Sequence, residues 1–270
     1  MQTNWGSTFE RTQEWSSLTK KEISILFFGS STCYSSIDPA FCSHYGKTGF
    51  SFCSPGSNTG NSLHILANIM DSLPNLETVV LDVYPSNWSN AFVTTESTRD
   101  FIINNASTEI DMIAAGHDMA LNTMDPYTIV LSQLIPRLKK LGILSHHASS
   151  DSRGNYRGRG FVYRTTPPLT NAPNCPSDST TVRIFPFCEQ FQDFVSMCSK
   201  NGTQLILVKP PELCNREYQI PSCWEDIPLI DGDLWPERKN YQYFRDDHHM
   251  VGQGAEKYSR WLVEQLSEVW

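Results

Sequence analysis

The run Ile23-Ser24-Ile25-Leu26-Phe27-Phe28 is nearly continuous in apolar side chains and stops at Gly29-Ser30-Ser31. A strand that alternates apolar and polar residues buries one face; a strand without alternation must be covered on both, which is the condition of a parallel sheet with helices on either side. The pattern recurs downstream. A short strand is expected around 49–53, followed by the turn Ser54-Pro55-Gly56-Ser57-Asn58, and Thr78 to Tyr84 reads as a third strand ending in Pro85-Ser86-Asn87. Between them Leu63, Leu66, Ala67, Ile69, Met70 and Leu73 recur at helical spacing.

Later segments continue the alternation. Residues 96–141 read mainly as helices, clearest over Ile129 to Leu141. Phe187 to Ser199 reads as a helix, Gln204 to Val208 as a fourth strand, Ile227 to Ile230 as a fifth and Gly254 to Val269 as a closing helix. Strand and helix in turn imply an α/β domain with a parallel sheet, whose ligand crevice lies outside the carboxyl ends of the strands. The chain has 270 residues, enough for one large domain, so a single unit 1–270 is expected, with 1–20 as an N-terminal arm or short helix. Residues 145–182 shift to Ser, Thr, Asn, Pro, Gly and Arg, and are read as an insertion loop near the active face.

Composition narrows the partners. A net charge of -8 argues against a nucleic-acid surface, and no run approaches the ~20 apolar residues of a transmembrane helix. The one basic cluster, Arg153 to Arg164, holds four arginines among glycines and aromatics; a solvated loop or hairpin is expected there, with an anionic or sugar ligand as the sharper alternative. No charged and then apolar leader opens the chain, which leaves the compartment open between cytoplasm and a trimmed extracellular domain. Eight cysteines form no metal-spaced pair; if they form disulfides, Cys214 with Cys223 across a loop is the expected bond.

Two segments carry candidate chemistry. A serine at a strand-to-helix turn needs a base to remove its proton, and Ser31 stands at such a turn, although Ser and Thr there also suit a plain helix cap. Near the other end, Asp246 lies three residues ahead of His249, so one loop can supply a base and the acid that orients it. His248 is the alternative base. The cluster Asp246, His248 and His249 also permits a metal site, which ranks below the triad because no other histidine stands at a metal-ligand spacing. No metal and no cofactor is called for.

Phe27-Phe28-Gly29-Ser30-Ser31, followed by Tyr34-Ser35-Ser36-Ile37-Asp38-Pro39, together with Asp246 to Ala255 (DDHHMVGQGA), resembles the SGNH (GDSL-like) hydrolase superfamily. The likeness is to the branch with G-S-S in place of G-D-S, common among bacterial surface-polysaccharide O-acyl esterases and transferases. It covers about residues 22–88 and 241–266. The resemblance implies a three-layer α/β/α sandwich with a flavodoxin-like sheet, Ser31 as nucleophile, His249 as base and Asp246 as orienting acid. It implies an oxyanion hole from the N–H groups of Ser31 and Gly56. The asparagine of the superfamily's third block has Asn87 one place off, with Asn58 as competitor, and Val251 stands where the family usually has asparagine. The expected substrate is a small-molecule or polysaccharide acyl ester. A carbohydrate-binding protein that has lost the reaction, and a metal-dependent hydrolase on Asp246, His248 and His249, are the competing expectations.

Overall fold

The computed structural model describes residues 8–55, 57, 59–84, 154–175, 181–183, 188–214 and 217–270. The helices expected over 96–141 lie outside them.

Helix α1 (Thr8–Ser17) leads into strand β1 (Ile25–Phe28), the short helix α2 (Ser31–Tyr34), β2 (Gly49–Ser51), α3 (Thr59–Ile69) and β3 (Thr78–Asp82). After the undescribed stretch come β4 (Gly154–Gly158), β5 (Phe161–Arg164), β6 (Thr181–Arg183) and α4 (Cys188–Lys200). The chain then runs through β7 (Gln204–Lys209), β8 (Glu217–Gln219), β9 (Leu229–Asp231) and α5 (Gly252–Ser267). Five strands make one sheet in the order β2-β1-β3-β7-β9, and every neighbouring pair is parallel. The fold is α/β, as the alternation of elements required.

Successive side chains of a strand point to opposite faces, and here both faces are filled. Leu26 and Phe28 join Phe50, Val79, Leu81, Leu205 and Leu207 in one cluster, covered by Ile65 and Leu66 of α3 and by Phe191 and Phe194 of α4. Ile25 and Phe27 join Val80, Ile206 and Val208 in the other, covered by Tyr258, Leu262, Val263 and Leu266 of α5. The arm residue Trp15, on α1, packs its ring 4.9 Å from Phe50 and 4.7 Å from Phe52. No helix among the described residues is long and apolar enough to cross a membrane.

The arginine cluster is a hairpin, β4 against β5. It is not a free loop. Ser51 N–H donates to the Arg159 carbonyl at 2.8 Å, and at Gly160, with φ of 82°, an added Cβ would lie 1.9 Å from the Ser51 carbonyl oxygen. Only a glycine lets the hairpin tip approach β2 this closely. Arg157 stacks over Tyr163 and the buried Arg164 over Tyr34, with guanidinium carbons 4.5 and 4.8 Å from the ring centres.

The expected Cys214–Cys223 disulfide is incorrect. Cys214 bonds Cys175, with Cα atoms 5.3 Å apart. The reason lies in the two sheet faces: Leu213, beside Cys214, belongs to the cluster under α5, whereas Cys223 packs with Trp224 on the cluster under α3 and α4. Residues nine apart in sequence are thus separated by the sheet, and Cys223 forms a disulfide of its own.

Candidate active site

Strand β1 delivers its last residue to the carboxyl edge, and the chain must turn at once into α2. Gly29 permits the turn because a Cβ there would stand 2.4 Å from Cβ of Asp82 and 3.0 Å from Cβ of Cys33. Asp82, the buried last residue of neighbouring β3, pins the turn from the side. Its Oδ2 accepts the Thr32 hydroxyl at 2.5 Å and its Oδ1 the Tyr84 N–H at 2.8 Å. Ser30 caps α2 in extended conformation, and Ser31 is the first helical residue. The segment after β2 is drawn alongside by a hydrogen bond from Ser54 N–H to the Gly29 carbonyl, 3.1 Å, and by a Cys33–Cys53 disulfide.

The other half of the site is a tight loop before α5. Phe244 and Met250 form an antiparallel bridge, and Arg245 N–H donates to the His249 carbonyl at 2.9 Å. Inside this loop the Asp246 Oδ1 accepts the backbone N–H groups of His248, at 3.1 Å, and His249, at 2.7 Å. The carboxylate is therefore fixed before it meets the ring. His249 Nδ1 lies 2.8 Å from Oδ2 and 3.1 Å from Oδ1 of Asp246, and His249 Nε2 lies 2.8 Å from Ser31 Oγ. With its proton on Nδ1, donated to Asp246, the ring presents a bare Nε2 lone pair to the serine hydroxyl.

Electrostatics suit that arrangement. Burial alone would raise the Asp246 carboxyl, but hydrogen bonds from the His249 ring and from two backbone N–H groups, with the attraction of His249, hold it well below the usual carboxylate range. Burial lowers the affinity of His249 for a proton and outweighs the opposing pull of Asp246, so the ring lies below its ordinary value of 6.5. A neutral imidazole beside an ionised carboxylate can act as a base at neutral pH.

The residues expected from the sequence thus divide. Ser31, His249 and Asp246 are brought into one hydrogen-bonded chain. Gly56, Asn58 and Asn87, expected in the oxyanion hole, lie outside the described residues. His248 is engaged elsewhere: Nδ1 is 2.6 Å from Asp247 Oδ1, and the ring stacks on Tyr84 with centres 5.0 Å apart. Val251 is buried and donates its N–H to the Tyr243 carbonyl, 2.9 Å, as the residue before α5.

The chain matches no family model, and no curated protein matches it. The sequence reading missed the Asp82 pin and the Cys33–Cys53 bond. The second had a usable signal, since each cysteine lies a few residues past the end of one of two adjacent parallel strands. Part of the insertion also reaches the site: Leu169 N–H donates to the Phe244 carbonyl at 2.7 Å, and Leu213, next to the disulfide-bonded Cys214, donates to the Asp247 carbonyl at 2.9 Å. One cluster of potential metal ligands occurs among the described residues, Asp246, His248 and His249, with donor atoms within 4.8 Å of one another.

Proposed function

We propose that the chain is a serine esterase or O-acyltransferase acting on short acyl esters of a carbohydrate. The observation that carries this reading is the chain of contacts from Ser31 Oγ to His249 Nε2 at 2.8 Å and from His249 Nδ1 to Asp246 Oδ2 at 2.8 Å. The sheet order β2-β1-β3-β7-β9, with helices against both faces, supports reading the domain as a three-layer, flavodoxin-like α/β/α sandwich. It supports with it the likeness to SGNH hydrolases, from which the carbohydrate ester is inferred.

In this mechanism Ser31 Oγ attacks the acyl carbonyl carbon while His249 Nε2 takes the hydroxyl proton. Negative charge gathers on the carbonyl oxygen. The N–H of Ser31, in the first turn of α2 where no intrahelical carbonyl can accept it, is the proposed donor to that oxygen, and Gly56 and an asparagine are the further donors that the likeness to SGNH hydrolases implies. Collapse passes the proton from His249 to the departing alcohol and leaves an acyl-serine. Water, or a hydroxyl of an acceptor, then gives its proton to His249 and attacks the acyl carbon, which frees Ser31. Asp246 holds the ring and balances the imidazolium charge in both halves.

The test is a fluorophosphonate probe, whose phosphorus is attacked only by an activated serine. One adduct at Ser31, absent in Ser31→Ala and His249→Ala, is the expected result; folded protein without an adduct sinks the proposal. The three donor atoms of Asp246, His248 and His249 favour a second reading, a metal-dependent hydrolase. That reading requires ester cleavage to stop on adding a chelator, whereas the serine mechanism loses no activity to it.

A further inference from the structure

Four consecutive side chains, Asp246 to His249, place two imidazoles and two carboxylates in one loop. We infer that they form a binding site for a borderline divalent cation of the zinc type, and that the occupied site shuts off the triad instead of serving it. The binding claim stands on geometry alone; the shut-off rests on the serine mechanism above.

The ligand atoms of Asp246, His248 and His249 lie within 4.8 Å of one another, and two of the spacings are near that of a tetrahedral site. Metal–nitrogen and metal–oxygen bonds of about 2.0–2.2 Å put neighbouring ligand atoms about 3.3 Å apart. His249 Nδ1 is 3.1 Å from Asp246 Oδ1, and His248 Nδ1 is 3.7 Å from the same oxygen. Asp247 Oδ1 stands 2.6 Å from that same His248 nitrogen, so on metal binding it gives up this contact and can serve as fourth ligand. The two imidazole centres are 4.0 Å apart. Closing on a cation therefore needs side-chain adjustment, chiefly of His248 and Asp247. The loop is already held by the Phe244–Met250 bridge and the Arg245–His249 backbone bond. Side chains of His249, His248, Asp247 and Asp246 are 13%, 21%, 27% and 40% exposed, so a hydrated ion can reach them. Two imidazole nitrogens select zinc-like ions over magnesium or calcium, which prefer oxygen.

The consequence for the reaction follows from the ring's tautomers. A neutral imidazole carries one N–H. In the free site that proton sits on His249 Nδ1 and the Nε2 lone pair faces Ser31. A cation on Nδ1 takes the lone pair there, so the proton moves to Nε2, where it points at Ser31 Oγ and cannot accept the serine proton. Asp246, shared with the cation, also ceases to orient the ring. No proton is gained or lost by His249; it changes place.

The experiment titrates the full chain with zinc chloride alone in chelator-free buffer. Calorimetry reads binding, long-range proton–nitrogen NMR of the His249 ring reads the tautomer, and fluorophosphonate labelling reads Ser31. Expected are one ion per chain, transfer of the ring proton from Nδ1 to Nε2, and loss of labelling that a chelator reverses. His248→Asn and, independently, Asp247→Asn keep Ser31 labelling in metal-free buffer and weaken zinc binding by at least about 10-fold. No binding, binding unchanged in both variants, or undiminished labelling of the zinc-loaded protein overturns the inference. If Ser31 is unlabelled even without zinc, the serine mechanism fails by itself, while the calorimetric and ring-tautomer readings still decide for or against the cation site.

Discussion

Burial disfavours the imidazolium of His249 and Asp246 favours it, and burial wins, which leaves the ring ready to accept a proton from Ser31. The sign of the pH dependence follows. The proposed serine mechanism needs the neutral ring, so kcat/KM for an activated acyl ester should hold its plateau down through neutrality and fall on the acid side with a midpoint below 6.5. A midpoint above that value contradicts this site. In Asp246→Asn the remaining oxygen can still accept the two backbone N–H groups, but the amide cannot accept from Nδ1, so the ring adopts the wrong tautomer. A loss of about 10²–10⁴ in kcat with little change in melting temperature is expected from steady-state kinetics and a thermal melt. Gly29→Ala forces a Cβ to within 2.4 Å of Asp82 Cβ and should cost about 1–3 kcal/mol by urea unfolding. At this scale the sequence was legible where partners are local. Asp246 and His249 share one short loop, so their spacing announced their pairing. The bond from Thr32 to Asp82 spans 50 residues and had no local sign.

The elements were legible for a related reason. An uninterrupted apolar run such as Ile25–Phe28 has one stable use, a strand covered twice, and Tyr258, Leu262 and Val263 of α5 repeat at the interval of a helix laid on one face. Leu262→Ala should therefore cost about 2–5 kcal/mol, measured by urea denaturation, because its cavity opens beneath the sheet where nothing can collapse into it. Connections between elements were less legible. The Cys214–Cys223 expectation used proximity in sequence, but the sheet puts those residues against opposite faces. The Cys33–Cys53 bond instead joins α2 to the segment after β2, and its 20-residue separation gives it weight in the unfolded chain. Cys33→Ser with Cys53→Ser should lower stability by about 2–4 kcal/mol and should loosen the approach to Ser31, read as slower fluorophosphonate labelling in protein that is still folded.

At the scale of the molecule, alternation of strands and helices made a parallel sheet readable, since consecutive strands joined by helices can pair in no simpler way. Which strands are neighbours is a matter of long-range contact, and β7 reaches β3 across a long stretch of chain that local pattern does not describe. The same topology separates the two halves of the site by 218 residues, from Ser31 to His249. Ser31 leaves the ribosome well before its base has been synthesised, and α5, which follows the base, must dock before the loop is held. Under the proposed serine mechanism the growing chain thus carries a serine without its base throughout most of its synthesis, so a half-made copy would be unable to attack the esters around it.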